Sequence, residues 1–191
     1  LASSYDSDGD SFPDHVETVA PSDSLSAAST PFENEALAAF NGHGLAKLSI
    51  KLDFGDSGND TIQLSGILPI PEGVSIPGQQ VIVDGGGIAV AFSLDEHGRS
   101  TPKGDDSFRL GTKPRNGDSK YVCKLSKGAF AEQLARLNMF DGEVKSSNVA
   151  VSVTIYFAKI LYQNAGFTRY SARPGVAGLA RTGKGAFVPG A

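Results

Sequence analysis

Residues 48–54 read Leu-Ser-Ile-Lys-Leu-Asp-Phe, so Leu48, Ile50, Leu52 and Phe54 alternate with Ser49, Lys51 and Asp53. A period of two places alternate side chains on opposite faces of a strand, one face apolar and one wet. The Gly-Asp-Ser-Gly-Asn-Asp stretch that follows is turn chemistry. Ile62, Leu64 and Leu68 continue on a second strand closed by Pro69 and Pro71. Val81 and Val83 then lead through Asp84-Gly85-Gly86-Gly87 into Ile88, Val90, Phe92 and Leu94, a hairpin pattern. Shorter apolar runs at Phe108–Leu110 and Tyr121–Leu125 precede the longest one, Val149, Val151, Val153, Ile155 and Phe157, which continues toward Ile160 and Tyr162.

Two helices are expected between these runs. Thr30-Pro31-Phe32-Glu33 is a capping box with proline at the first helical position, and its helix should end near Asn41-Gly42. Phe130, Leu134 and Leu137 lie at helical spacing before Asp141-Gly142. Seven or eight short strands joined mostly by Gly, Pro and Asp turns predict a mainly β fold. Its expected form is an antiparallel β-sandwich, with the second helix crossing between two late strands.

At 191 residues, 40% hydrophobic and 20% charged, the chain has enough apolar surface for a packed core. No apolar run approaches the length of about 18 residues that a membrane-spanning helix needs, so no membrane insertion is expected. A net charge of −4 argues against nucleic acid as a partner. Charge is unevenly placed. Residues 1–44 carry eight acids and no Lys or Arg, whereas from Val144 onward there is no acid and six bases. Such asymmetry is an interaction signal. It divides the chain into an acidic arm (1–44), a β-sandwich domain (45–171) and a basic Gly-rich tail (172–191). The first residue is Leu, as expected of a processed or excised chain.

One motif carries chemistry. Residues 6–17 read Asp-Ser-Asp-Gly-Asp-Ser-Phe-Pro-Asp-His-Val-Glu. Oxygen ligands at positions 1, 3, 5, 7, 9 and 12 of a loop suit a hard divalent cation. They would come from Asp6, Asp8, Asp10, the backbone carbonyl of Phe12, Asp14 (directly or through water) and Glu17. An all-oxygen set selects calcium over zinc. Ser11 stands at position 6, where the EF-hand pattern has Gly for a sharp turn, and Pro13 replaces the aliphatic residue through which paired EF-hands join. A paired, switching EF-hand is therefore not expected, and the ion reads as a structural clip.

The segment resembles the calcium repeats of thrombospondin type 3 and related dockerin-like loops, in which Asp-x-Asp-Gly-Asp is followed by Pro-Asp and a final acid. The resemblance implies a secreted or cell-surface protein of bacteria. The middle zone, from Lys47-Leu-Ser-Ile-Lys-Leu through Gly66-Ile-Leu-Pro-Ile-Pro to Phe92-Ser-Leu-Asp, also looks like the Ig-like sandwich modules of such proteins, which carry no known active site.

Other candidate motifs point to bland roles. Gly178–Gly185 has Gly where a phosphate-binding loop needs Ser or Thr. His15 is expected to face solvent from a non-ligand loop position, while His43 and His97 read as turn residues. Cys123, the single cysteine, alternates with Tyr121 and Leu125 and is expected buried, which excludes an internal disulfide. Asp95-Glu96 and Asp105-Asp106 lie in turns and lack the geometry of a catalytic pair. Tyr156, Tyr162 and Tyr170 could form an outward platform for glycans. The expected function is that of a non-enzymatic, calcium-stabilised structural or assembly module, self-associating or meeting other cell-surface proteins. Opposite charges at the two ends suggest filament or surface-layer contacts, as would pairing of the late run with a neighbour's sheet edge. The alternative is a carbohydrate-binding or adhesion module.

Overall fold

In the computed structural model, which describes residues 5–20, 22–32, 39–42, 44–101 and 104–182, the alternating runs form strands. The element order is α1 (Asp14–Glu17), β1 (Ala39–Gly42), β2 (Gly44–Asp53), β3 (Asp60–Pro69), β4 (Gln80–Gly85), β5 (Ala89–Leu94), β6 (Ser100–Thr101), β7 (Ser107–Leu110) and β8 (Asp118–Gly128), followed by α2 (Ala131–Ala135), β9 (Val144–Phe157), β10 (Ile160–Arg173) and β11 (Ala177–Thr182). They make one eleven-stranded sheet in the order β6-β5-β4-β9-β10-β11-β2-β3-β8-β7, with β1 added alongside β10. The two ends of that order meet. Arg99 and Arg109 form an isolated antiparallel bridge, and the Leu110 N–H donates to the Gly98 carbonyl at 2.8 Å. The sheet is thus nearly closed, barrel-like, and covers most of its own edges. At the coarse level of a mainly antiparallel β fold, this agrees with the sandwich expected from the turn spacing.

The core lies where the period of two places it. Leu48, Ile50, Leu52, Ile62, Leu64, Leu68, Cys123 and Leu125 are all buried in one cluster with Val81, Val83, Val151, Val153, Ile155 and Phe157. Phe108 stacks between Phe92 and Tyr121, at centroid separations of 5.9 and 6.2 Å. A smaller cluster lies on the opposite face of the sheet, where Ile82 and Tyr156 meet Phe12, Val16 and Ala20 of the N-terminal arm. Strands β4 and β9 are therefore covered on both faces.

Several expectations change here. The predicted N-terminal helix falls partly on residues 33–38, outside the described residues. Its far end, Ala39–Gly42, is a strand parallel to β10, because pairing with an available edge overrides the local helix signal. The helix before Asp141 is present as α2 between β8 and β9, but it ends at Ala135. The tail expected to begin at residue 172 includes β11, which lies between β10 and β2 in mid-sheet. The late apolar run is split by a hairpin at Ala158-Lys159; β9 pairs with β10 along most of its length and with β4 only over Val153–Phe157. Tyr156, Tyr162 and Tyr170 are all buried, at 2%, 0% and 0% exposure, so they make no outward platform. The Tyr162 and Tyr170 hydroxyls instead donate to the carbonyls of Pro69 and Phe140, at 2.7 and 2.8 Å.

Candidate metal centre

The arm folds its carboxylates inward by a repeated local device. Asp6 accepts the Gly9 and Ser11 N–H groups on its two oxygens, at 2.8 and 3.1 Å. Asp8 Oδ1 accepts from the Asp10 N–H at 3.2 Å, and Asp10 Oδ1 accepts from the Phe12 N–H at 2.7 Å. An Asp that bonds the backbone two or three residues on stabilises a tight turn. In Asp8 and Asp10 the bond uses one oxygen and leaves the other to point elsewhere. The second oxygens, Asp8 Oδ2 and Asp10 Oδ2, are buried and have no hydrogen-bond partner.

Asp6, Asp8 and Asp10 each offer an oxygen within 4.8 Å of the others, close enough to hold one metal ion among them. The turn requires Gly9 at φ +78° and Ser11 at φ +80°. The second value meets the left-handed demand that falls on Gly at position 6 of an EF-hand loop, so Ser11 carries a steric cost there.

Glu17 is the sequence-predicted ligand in the most unusual setting. The residue is 1% exposed, and neither carboxylate oxygen has a hydrogen-bond partner. Burial, reinforced by the charges of Asp10, Asp8 and Asp14 and opposed by the nearby Ser22 hydroxyl, pushes its carboxyl up to about 7. Burial likewise holds Asp10 above its ordinary range, with Asp8 and Asp6 adding to the effect. A sealed, unpaired carboxylate is expensive unless a cation joins it. Asp14 is differently engaged: its two oxygens accept the Ser7 N–H and hydroxyl, at 2.8 and 2.7 Å. Both Asp14 and Glu17 stand outside the Asp6–Asp8–Asp10 group in this geometry.

Phe12 and Val16 anchor the loop to the sheet. Phe12 is fully buried, with its ring 5.4 Å from Tyr156 and 5.9 Å from Phe32. His15, expected to face solvent, keeps 32% of its side chain exposed but is not free. Its Nε2 lies 3.0 Å from Asp84 Oδ2, tying α1 to the end of β4. The pattern of acids could not show this partner, because Asp84 is 69 residues away.

The remaining candidates sit in structural roles. Asp95 Oδ1 accepts the His97 and Arg99 N–H groups, both at 2.8 Å, inside a turn. Asp106 Oδ1 accepts from the Ser126 N–H at 2.7 Å, and Asp105 pairs with Lys127 at 3.1 Å. Burial pushes the Cys123 thiol up, the opposite of what a nucleophile needs. Sequence reasoning missed Asp60, a 2% exposed residue. Its oxygens accept the N–H groups of Asp53, Phe130 and Ala131 at 2.7, 2.6 and 2.9 Å, fastening α2 to the β2–β3 turn. His43 lies outside the described residues.

No family model, curated protein or solved structure matches this chain.

Proposed function

We propose that the chain is a non-enzymatic structural module of a secreted or cell-surface protein, with an N-terminal loop that binds one calcium ion as a clip. The supporting observation is the set of buried carboxylate oxygens without partners: Asp8 Oδ2, Asp10 Oδ2 and both oxygens of Glu17. Asp6, the Phe12 carbonyl and Asp14, directly or through water, would complete an oxygen shell of the kind calcium takes at 2.3–2.6 Å. Oxygens on such an ion lie no more than about 5 Å apart, which suits the Asp6–Asp8–Asp10 group. The strained Ser11 should lower affinity toward roughly 10⁻⁴ to 10⁻³ M, a range that extracellular calcium still fills. The thrombospondin type 3-like and Ig-like resemblances belong to the same reading.

Calorimetric titration of chelator-treated protein tests the ion. One equivalent of calcium bound, with magnesium much weaker, supports the clip; no heat and no change in melting temperature would rule it out. Light scattering in millimolar calcium and again in chelator tests assembly. Particles that grow with calcium would make the module a self-associating subunit, and a monomer in both would leave the ion a local clip.

A further inference from the structure

The outer face of β10, β11 and β2 carries a concentration of positive charge on a chain whose net charge is −4. An open groove of about 620 Å³ runs across it, lined by Lys51, Lys145, Arg173, Arg181, Val176 and Glu143 among others. Arg169 adjoins it. It pairs across the ladder with Arg181, so the two guanidinium groups leave the same face of the sheet from directly opposed positions. Lys51 pairs with Leu179, two residues from Arg181, which places it on that face as well.

All five cations are exposed, and none takes part in the ion pairs found among the described residues. Like charges set directly opposite destabilise a sheet. Glu143 is the one carboxylate lining the groove among the described residues, against four cations there and Arg169 beside them, so the face keeps a positive excess suited to an external anion. Phe167, two residues before Arg169 on the same face, is 63% exposed, and Val176 in the groove is 57% exposed.

We infer that this groove binds an acidic polysaccharide, with its carboxylate or sulfate groups on Arg169, Arg181, Arg173, Lys51 and Lys145 and an apolar sugar face against Phe167. Arginine's planar fork matches carboxylate and sulfate oxygens in pairs. An exposed ring beside the cations supplies the apolar contact that a purely ionic ligand would leave unused. Neutral glycans are disfavoured because Tyr156, Tyr162 and Tyr170 are buried. The acidic arm of a second copy is a poorer occupant: Asp14 is held by Ser7, and Asp8, Asp10 and Glu17 are turned into their own loop. The inference does not depend on calcium.

Binding of the whole chain to immobilised hyaluronate, dextran sulfate and neutral dextran, in millimolar calcium, tests it. Wild-type protein should bind one or both acidic polymers, ignore neutral dextran and weaken steeply between 50 and 200 mM salt. The double variant R169S/R181S should lose about 10- to 30-fold in affinity. Its melting temperature should stay level or rise, since the repulsion is gone. Equal binding to neutral dextran, or unchanged binding by the variant, would overturn the proposal. So would tighter binding to single-stranded DNA than to either polymer. A variant that loses self-association while wild type binds no polysaccharide would assign the groove to a second copy instead.

Discussion

Replacing Glu17 with Gln should change stability with opposite signs in chelator and in calcium. Without metal, folding buries a carboxylate whose oxygens find no partner, and the carboxyl rises from 4.5 to about 7. The sign follows from proton linkage. Between those two values the folded chain holds a proton that the unfolded chain has lost. Stability from this group is therefore complete below pH 4.5 and is lost as pH rises through about 7. A rise of that size corresponds to about 3 kcal/mol, and solvent screening near the surface, together with the Ser22 hydroxyl, reduces it to about 2 kcal/mol.

Glu17→Gln removes the charge, so in chelator at pH 8 the variant should be about 2 kcal/mol more stable than wild type. At pH 4.5 that advantage should disappear. In calcium the order should reverse. At 10 mM ion and a dissociation constant of about 10⁻⁴ M, wild type gains about 2.7 kcal/mol, most of which the variant forfeits with its bidentate ligand. Urea melts of both proteins at pH 4.5 and pH 8, with chelator and with calcium, provide the test. Equal destabilisation of the variant under every condition would mean that Glu17 is a packing residue, and the reasoning about its charge would fail.

Three further outcomes follow from the fold. Asp60→Ala should cost about 3 kcal/mol in chemical denaturation, since three backbone N–H groups lose an ionised acceptor, and Asp60→Asn should recover part of it. Gly66→Ala should cost about 3 kcal/mol or abolish soluble expression, because the added methyl would overlap the Gly44 carbonyl and press on the Tyr121 ring. Ala158 and Lys159 occupy the two hairpin positions at φ +52° and +63°, where Asn-Gly is preferred. The variant A158N/K159G should therefore melt higher, by the equivalent of about 1 kcal/mol.

What could be read in advance followed one-sided burial. The alternation at Leu48–Phe54 and in Ile62–Leu68 located β2 and β3, because each puts one face inward. Two-sided burial broke that rule. Val81-Ile82-Val83 and Val153–Phe157 are continuous because Ile82 and Tyr156 meet the N-terminal arm on the far face, a partner no local pattern reveals. Strand β11 was illegible for the opposite reason. Its inward residues are Gly178 and Ala180, small because the Tyr170 ring fills the space, where a methyl on Gly178 would lie 2.9 Å from a ring carbon. A strand whose apolar volume comes from its neighbour shows no hydrophobic period of its own. At the site, the spacing of the acids brought out Asp6, Asp8 and Asp10, which the fold gathers, while Glu17 is buried outside that group. The spacing could not tell that Asp14 would turn to Ser7 or that His15 would reach Asp84.

Ligands and anchors interleave along the arm, and this suggests why an ion would be placed there. Phe12, Val16 and Ala20 recur every four residues and pack on Ile82 and Tyr156, while the acids occupy the positions between and before them. Phe12 is itself position 7 of the loop, so a carbonyl on the ion and a ring against Tyr156 would belong to one residue. Burial of the Phe12 and Val16 side chains contributes about 4 kcal/mol, enough to seat the arm only if the repulsion among its carboxylates is met. A divalent cation removes that repulsion and leaves the apolar term unopposed. Loss of the ion would then do more than loosen a loop. It would tend to bare Ile82, Ala89, Ala91, Tyr156 and Leu161 together, turning the outer face of β4, β5, β9 and β10 into an apolar patch on a molecule otherwise wrapped around its own core.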